Sequence, residues 1–196
     1  MIETPLRVFV ALPLTSELHA ELARVQQRLQ RTCPEGVRWV RPEGIHLTLF
    51  FIGELSPAQL PPIRAALAVV ARHALSCTAT VRGLGAFPNP RRPRVIWVGL
   101  EEPTGRLALL HQAVNEALAR VGCEPESRPF APHLTLGRVQ QRRGGEEPQV
   151  GEAISRAVAQ PCELGTVDFT KLVLFRSTLQ PQGAVYTPLE TFTLGE

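Results

Sequence analysis

The tetrapeptide His-Leu-Thr-Leu occurs twice in this chain of 196 residues, beginning at His46 and again, 87 residues later, at His133. The upstream sequence RVFV, from Arg7, falls on RVIW, from Arg94, at the same offset of 87 residues. Self-similarity at a fixed period favours a duplicated half-domain over a coincidence between two unrelated α+β segments. The spacing of the two motifs therefore constrains the fold more than any other feature of the chain.

The order of predicted elements repeats on the two sides of the proline-rich segment 88–93. Apolar residues form short blocks where strands are predicted and recur every three or four residues where helices are predicted. We expect an α+β fold of two pseudo-symmetric lobes, each an antiparallel sheet with helices packed outside, and an active-site cleft between the lobes. Residues 1–196 are predicted to form this single bilobal domain, with an internal repeat of approximately 6–87 and 94–176.

Capping and turn residues predict where individual elements begin and end. Ser16 and Thr104 each precede an apolar helical pattern, so both are predicted helix N-caps. Residues 46–52 and 133–139 are predicted strands, and 167–175 is predicted as one continuous strand. The two repeated motifs therefore lie on strands.

Each motif places a histidine and a threonine on the same side of its strand, because side chains alternate between the two faces of a sheet. An isolated histidine on a strand is usually structural, but a duplicated His-Thr pair inside a repeat favours a functional site. Two imidazoles, one neutral and one protonated, form a general acid–base pair that operates near neutral pH. Two threonine hydroxyls can donate hydrogen bonds to phosphate oxygens. The four side chains suit in-line displacement at a phosphodiester such as a strained 2′,3′-cyclic phosphate.

The acidic residues and cysteines exclude several other kinds of site. Asp168 is the single aspartate, which excludes an EF-hand loop and the two-metal sites built from several aspartates. The four cysteines are isolated and form no C-x-x-C pair, so reduced thiols are expected rather than a zinc site or a disulfide framework. Neither a metal nor a cofactor is expected.

The N-terminal sequence and the arginine content bear on compartment and partners. An acidic residue precedes a short apolar run that Pro13 interrupts, which predicts a first strand rather than a signal peptide and hence a soluble, cytoplasmic protein. Lys171 is the single lysine, and the other basic residues are arginines. Arginine suits phosphate recognition, but a coding bias toward arginine explains the same count.

Four segments of the chain resemble the bacterial and archaeal RNA 2′,3′-cyclic phosphodiesterase family, also called 2′-5′ RNA ligase, which belongs to the two-histidine phosphoesterases. The segments are RVFVAL from Arg7, WVRPEGIHLTLFFIGE from Trp39, RPFAPHLTLGR from Arg128 and LVLFRS from Leu172. The resemblance implies a bilobal α+β fold with both histidines in a central cleft. It also implies hydrolysis of 2′,3′-cyclic phosphates to 2′-phosphomonoesters, and a weak, reversible, ATP-independent 2′-5′ ligation.

The resemblance also implies roles for individual residues. His46 would be the proton donor to the departing 3′ oxygen and His133 the proton acceptor that activates water, although the near-symmetry of the motifs leaves this order open. Thr48 and Thr135 would hold the phosphate. Arg138 matches a family arginine that can assist them, and Phe51 stands at the corresponding position of the first motif.

Further binding residues are predicted with an alternative beside each. Phe50, on the strand face assigned to His46, could stack on a base, or it could simply pack in the core. The run 91–94 and the pair Arg142 and Arg143 could attract RNA phosphates, or they could be solvated loop charges. His19, His73 and His111 follow helical patterns and are expected at the surface or at helix ends.

RNA ends or short oligonucleotides with a 2′,3′-cyclic phosphate are the expected partners of what we expect to be a monomer. Two other functions use the same residues. One is a non-catalytic module that binds nucleotides or RNA ends, although binding alone does not require paired proton carriers. The other is a hydrolase whose two histidines bind a metal ion. Turnover, and its sensitivity to a chelator, distinguishes the three functions.

Overall fold

The computed structural model describes residues 5–33, 35–140, 147–180 and 183–195. Within them the chain forms nine strands and four α-helices. The strands are β1 (Leu6–Leu12), β2 (Val37–Trp39), β3 (Leu47–Leu55), β4 (Cys77–Phe87), β5 (Val95–Glu101), β6 (His133–Val139), β7 (Glu163–Phe169), β8 (Lys171–Gln180) and β9 (Gly183–Thr193). The helices are α1 (Ser16–Thr32), α2 (Leu60–His73), α3 (Arg106–Arg120) and α4 (Glu147–Val158).

All strand pairs in the sheet are antiparallel, in the order β7-β4-β5-β6-β3-β1-β8-β9, and β2 pairs with β6 beside β3. One lobe consists of β3, β1, β8 and β9, and the other consists of β6, β5, β4 and β7. The lobes join where Leu47 of β3 lies opposite Leu134 of β6. The predicted α+β class, with an antiparallel sheet in each lobe, is confirmed.

The lobes do not coincide with the halves of the sequence. β4 precedes the proline-rich segment but pairs with β5 in the second lobe, and β8 and β9 from the C-terminal end pair beside β1 in the first lobe. Each lobe therefore takes an outer strand from the other half of the chain. The chain therefore crosses between the lobes more than once, and the strands of both lobes form one continuous sheet.

The register of the strands corrects the alignment of the repeat by one residue. Ala11 lies opposite Thr48, and Trp97 lies opposite Thr135, so Ala11 and Trp97 are the equivalent positions and are 86 residues apart. The offset of 87 residues, which places Val10 on Trp97, holds for the motifs but not for the strands before them. The segment between strand and motif is one residue longer in the second lobe.

One face of the sheet carries the core, and the other carries the predicted site. Val8 and Val10 of β1 point into the main apolar cluster, which also contains Leu22 and Val25 of α1. Phe9, which alternates with them, is buried outside that cluster on the opposite face. The helical apolar stripe and the strand alternation thus place the helices on one side of the sheet.

Three predicted element boundaries are wrong. The N-cap of α1 is Thr15, whose hydroxyl accepts a hydrogen bond from the backbone, so Ser16 is already in the helix. The N-cap of α3 is Gly105 rather than Thr104. The hydroxyl of Thr104 accepts a hydrogen bond from the backbone N–H of Arg106 at 3.4 Å, and the carboxylate of Glu102 accepts one from that of Leu107 at 3.0 Å. The predicted strand 167–175 is two strands, β7 and β8, separated at Thr170.

Candidate active site

The two His-Leu-Thr-Leu motifs meet at the junction between the lobes. Because β3 and β6 are antiparallel around the Leu47–Leu134 pair, their register places Thr48 opposite His133 and His46 opposite Thr135. Diagonal neighbours in such a ladder have Cα atoms about 7–8 Å apart, which places the two imidazoles within reach of one phosphoryl group. The predicted convergence of the motifs on one face of the sheet therefore agrees with the strand pairing.

His46 is held by a backbone carbonyl and by aromatic rings. Its Nδ1–H donates to the carbonyl of Gly44 at 2.8 Å, so Nε2 is the nitrogen that remains for a substrate. The imidazole stacks on Phe9 with ring centroids 4.7 Å apart, and Tyr186 contacts it edge-on at 5.1 Å. Burial in this aromatic pocket lowers the pKa of His46 to about 4.

His133 makes the same backbone contact in a different pocket. Its Nδ1–H donates to the carbonyl of Ala131 at 2.7 Å, which again leaves Nε2 for a substrate. Phe87 contacts the imidazole edge-on at 5.0 Å, and Trp97 lies 6.3 Å away. Burial lowers the pKa of His133, and the positive charge of Arg138 adds to this effect.

A β-bulge changes which phenylalanine of β3 reaches the site. Leu49 is an extra residue in the pairing with β1, so Phe50 lies opposite Val10 and Phe51 lies opposite Phe9. Partners across an antiparallel pair share a face, so Phe50 points into the core and Phe51 points toward the site. Phe50 is accordingly 2% exposed and Phe51 is 56% exposed. The prediction that Phe50 shares the face of His46 is wrong, and core packing is its role.

The second lobe contains the corresponding bulge. Leu136 is the extra residue of β6 opposite β5, so Arg138 lies opposite Val95, on the same face as Thr135 and its partner Trp97. Arg138 is exposed there. The bulge therefore brings the predicted phosphate-binding arginine to the side of the sheet that carries both histidines.

Hydrogen bonds from a buried glutamine hold the bulge at Leu136. The side-chain amide of Gln26 in α1 donates to the carbonyl of Leu136 at 2.8 Å and to the carbonyl of Val40 at 2.7 Å. The backbone N–H of Val40 also donates to the carbonyl of Leu136, at 2.9 Å. Gln26 is 3% exposed, so these bonds are shielded from water. Buried among apolar residues, this polar side chain links α1 to strands of both halves.

Several residues around the histidines were not predicted from the sequence. Phe9 and Trp97 are in the strands opposite the motifs, and the alternation of β1 and β5 could have placed them on the site face. Phe175 and Tyr186 come from β8, which pairs with β1, and from β9, which pairs with β8, and neither pairing has a local sequence signal. Phe175 lies 5.3 Å from Phe9 by ring centroids, and it completes the aromatic wall of the first lobe.

Of the remaining predicted basic residues and histidines, His19 is close enough to His46 to lower its pKa. The exposed arginines of the run 91–94 are in the turn between β4 and β5, and Arg142 and Arg143 fall outside the described residues. The other three histidines contact helix or loop atoms: His19 Nε2 donates to the carbonyl of Ile45, His73 Nδ1 donates to that of Val69, and His111 stacks on Phe130. None of these three contacts involves a motif side chain.

The described residues contain neither a cluster of metal ligands nor a membrane-spanning helix. Across residues 5–33, 35–140, 147–180 and 183–195, no three His, Cys, Asp or Glu side chains cluster as metal ligands. In the same part of the chain no helix has the length and apolarity needed to cross a bilayer. The cysteines are unpaired, with Cys33 and Cys77 buried and Cys123 and Cys162 half-buried.

Comparison with known proteins identifies the family. A family model described as LigT-like phosphoesterase matches the chain twice, over residues 12–97 and 98–186, so that one match falls on each copy of the motif. The chain belongs to the LigT-like phosphoesterase family. The resemblance inferred from the four sequence segments is confirmed.

Relatives and solved structures in this family align over nearly the whole chain. An RNA 2′,3′-cyclic phosphodiesterase of Methanothermobacter thermautotrophicus is 34% identical over 96% of this chain and 98% of its own length. A crystal structure of a Thermus thermophilus protein superposes with a TM-score of 0.79 at 31% identity, covering 97% of this chain and 99% of that one. E. coli LigT complexed with 3′-AMP gives a TM-score of 0.79 at 26% identity, covering 98% and 100%.

Proposed function

We propose that this protein hydrolyses the 2′,3′-cyclic phosphodiester ends of RNA to 2′-phosphomonoesters, with His46 and His133 as its acid and base. One observation carries the proposal: the register around Leu47 and Leu134 brings two His-Thr pairs to one face of the sheet. Both histidines engage Nδ1 with a backbone carbonyl and so offer Nε2 to the same substrate. The relatives named RNA 2′,3′-cyclic phosphodiesterase support the choice of substrate.

The reaction requires two proton transfers at one phosphorus atom. One neutral imidazole takes a proton from water as the water oxygen forms a bond to phosphorus. The bond between phosphorus and O3′ breaks, and the protonated imidazole donates its proton to O3′. The product retains the phosphate on O2′, and a proton exchange with solvent returns both imidazoles to their starting states. Since the two histidines supply both steps, the proposal requires no cofactor.

The family resemblance assigns His133 as the base and His46 as the acid. His133 is less enclosed than His46, and the nearby Arg138 favours the neutral imidazole that a base requires. His46 is neutral in the substrate-free pocket because its pKa is about 4. The negative charge of a bound cyclic phosphate raises the pKa of an adjacent imidazole, so substrate binding promotes protonation of His46.

Four other residues contribute to substrate binding in this proposal. The hydroxyls of Thr48 and Thr135 donate to non-bridging phosphate oxygens, and Arg138 neutralises the charge that increases in the transition state. Phe51 takes the base-stacking role first assigned to Phe50, because it is exposed on the face that carries His46. The same site can place an RNA 5′-hydroxyl where water attacks, which forms a 2′-5′ linkage with energy from the strained ring.

The test uses a short RNA that ends in a 2′,3′-cyclic phosphate, incubated with the pure protein in excess chelator. We expect conversion to the 2′-phosphate, with one oxygen from labelled water. Binding without product supports a non-catalytic module and contradicts the proposal. Activity that disappears in chelator and returns with added metal supports a metal hydrolase and also contradicts it. A 3′-phosphate product contradicts the assigned leaving group.

A further inference from the structure

A pair of arginines lies side by side across β2 and β6. Arg38 is the register partner of Arg138, and partners across an antiparallel pair share a face. Arg138 is on the face of Thr135, so Arg38 is on that face as well. The neighbours of Arg38 in β2, Val37 and Trp39, point to the other side, where they pack against the apolar core. The side chain of Arg38 is therefore carried on a short strand anchored from behind.

The pairing of Arg38 with Arg138 is electrostatically unfavourable without an anion. Like charges directly opposite one another destabilise a strand pair. Among the described residues, no carboxylate forms an ion pair with either guanidinium, and both side chains are exposed. Two adjacent guanidinium groups suit two neighbouring phosphates, because each guanidinium can donate more than one hydrogen bond to the oxygens of one phosphate.

The positive surface continues beyond this pair. Val95 lies opposite Arg138 on the other side of β6 and directly follows the turn that carries the exposed arginines of the run 91–94. In the other direction Arg38 is one strand spacing, about 4.8 Å, beyond Arg138. Arg138 and Arg128 are the arginines whose charges lower the pKa of His133, and Arg38 is not among them. An anion at Arg38 is therefore a different group from the one at the histidines.

We propose that Arg38 forms a second phosphate subsite, adjacent to Arg138, which binds the RNA phosphodiester next to the nucleotide that carries the cyclic phosphate. The inference rests on the proposed function, because it takes the cyclic end of the RNA to be at His46 and His133. The cyclic phosphate is at the 3′ end of the RNA, so all the remaining phosphates lie on its 5′ side. The ligand of Arg38 is therefore the first internal phosphodiester. A mononucleotide has no such group and leaves the subsite empty.

The test compares adenosine 2′,3′-cyclic phosphate with the dinucleotide ApA ending in a 2′,3′-cyclic phosphate. In Arg38→Gln we expect kcat/KM for the dinucleotide to fall about tenfold, mainly through KM, because a charge-assisted contact made equally in ground and transition states is lost. The mononucleotide kcat/KM should change by less than about twofold, which also shows that the variant is folded. Arg31→Gln, an exposed position on α1, is the matched control and should change neither value.

Equal losses on both substrates in Arg38→Gln, or no loss on either, overturn the subsite. If the unmodified protein turns over neither substrate, the proposed function fails, and calorimetric binding decides the subsite separately. The ligands are then adenosine 2′-phosphate and ApA with a terminal 2′-phosphate. Weaker binding of the dinucleotide alone in Arg38→Gln supports the subsite, and unchanged binding of both ligands contradicts it.

Discussion

The half of the site around His46 and the half around His133 are alike in backbone and different in side chains. Each histidine donates from Nδ1 to the carbonyl two residues before it. Each motif also ends in a β-bulge, at its second leucine. The residue that each bulge turns toward the site is Phe51 in one lobe and Arg138 in the other. The duplicated backbone therefore supplies two equivalent imidazoles, and one position after each bulge makes the halves unequal.

The walls around the two histidines differ in the same direction. Phe9, Phe175 and Tyr186 surround His46, and their packing lowers its pKa to about 4. His133 has Phe87 and Trp97 on one side and an exposed arginine nearby. The first lobe is suited to the apolar faces of a nucleobase, and the second is suited to phosphate groups. This comparison leads to four predictions, ordered by the size of the expected effect.

The largest effect is expected where the halves are alike. His46→Ala and His133→Ala should each lower kcat for a 2′,3′-cyclic phosphate by more than about a hundredfold, because each removes a general acid or base. Steady-state kinetics on both variants measures the loss, and circular dichroism verifies the fold. His73→Ala, at an exposed helix position, is the control and should retain full activity. Near-normal turnover in either motif variant contradicts the assignment.

The next effect is expected where the halves differ. Arg138→Gln should lower kcat/KM about thirtyfold through both kcat and KM, because a charge-assisted contact to the reacting phosphate is lost. Phe51→Ala should raise KM about fivefold with little change in kcat, since stacking on a base is equally strong before and during the reaction. The two kinetic constants separate the roles. A fall in kcat for Phe51→Ala that matches Arg138→Gln would mean that the halves are not divided in this way.

The two pockets should also differ in how pH affects stability. The folded pKa of His46 is about 4, below the value of about 6.5 in the unfolded chain, so protonation favours unfolding. The contribution of His46 is complete above about pH 6.5 and is lost as pH falls through 4, by about 3 kcal/mol in all. Denaturant titrations at several pH values between about 4 and 6.5 give the free energy of unfolding as a function of pH. This dependence should have a smaller slope in His46→Ala than in His133→Ala. Equal slopes in the two variants would argue against the deeper burial of His46.

The smallest effect on activity is expected from the glutamine that holds the second bulge. Gln26→Met preserves volume but removes both hydrogen bonds, and should lower the free energy of unfolding by about 1–2 kcal/mol. The part-buried carbonyl of Val40 loses its side-chain partner, whereas the carbonyl of Leu136 keeps the backbone N–H of Val40. The activity should fall only about threefold, through a less well fixed Arg138. Gln27→Met, at the neighbouring exposed position, is the control for unfolding and for kinetics. If Gln27→Met lowers the free energy of unfolding by the same amount, the role assigned to Gln26 is contradicted.

The sequence predicted that each motif histidine shares a face of the sheet with its threonine, because that arrangement is local. A repeated His-x-Thr on a strand fixes two side chains on one face, and the repeat itself implies that the copies face a common cleft. The first strand, Leu6–Leu12, was predicted with the bounds that the structure gives it. Such features depend on alternation within a few residues, which can be read directly from the sequence.

The features that the sequence did not predict depend on pairing between distant strands. One extra residue at Leu49 reverses the facing of the two residues that follow it, so Phe50 was placed in the site and Phe51 was not. No glycine marks that position, and the bulge is visible only against β1. The adjacency of Arg38 and Arg138 likewise exists only because β2 pairs with β6 across the two lobes.

The central claim is that both imidazoles contact one phosphoryl group, and NMR of the histidine rings during titration with adenosine 2′-phosphate tests it most directly. The account predicts that the ring signals of His46 and His133 shift together and saturate at one equivalent of ligand, with His73 and His111 unchanged. A shift of one motif histidine without the other, or saturation at two equivalents with separate affinities, would contradict it.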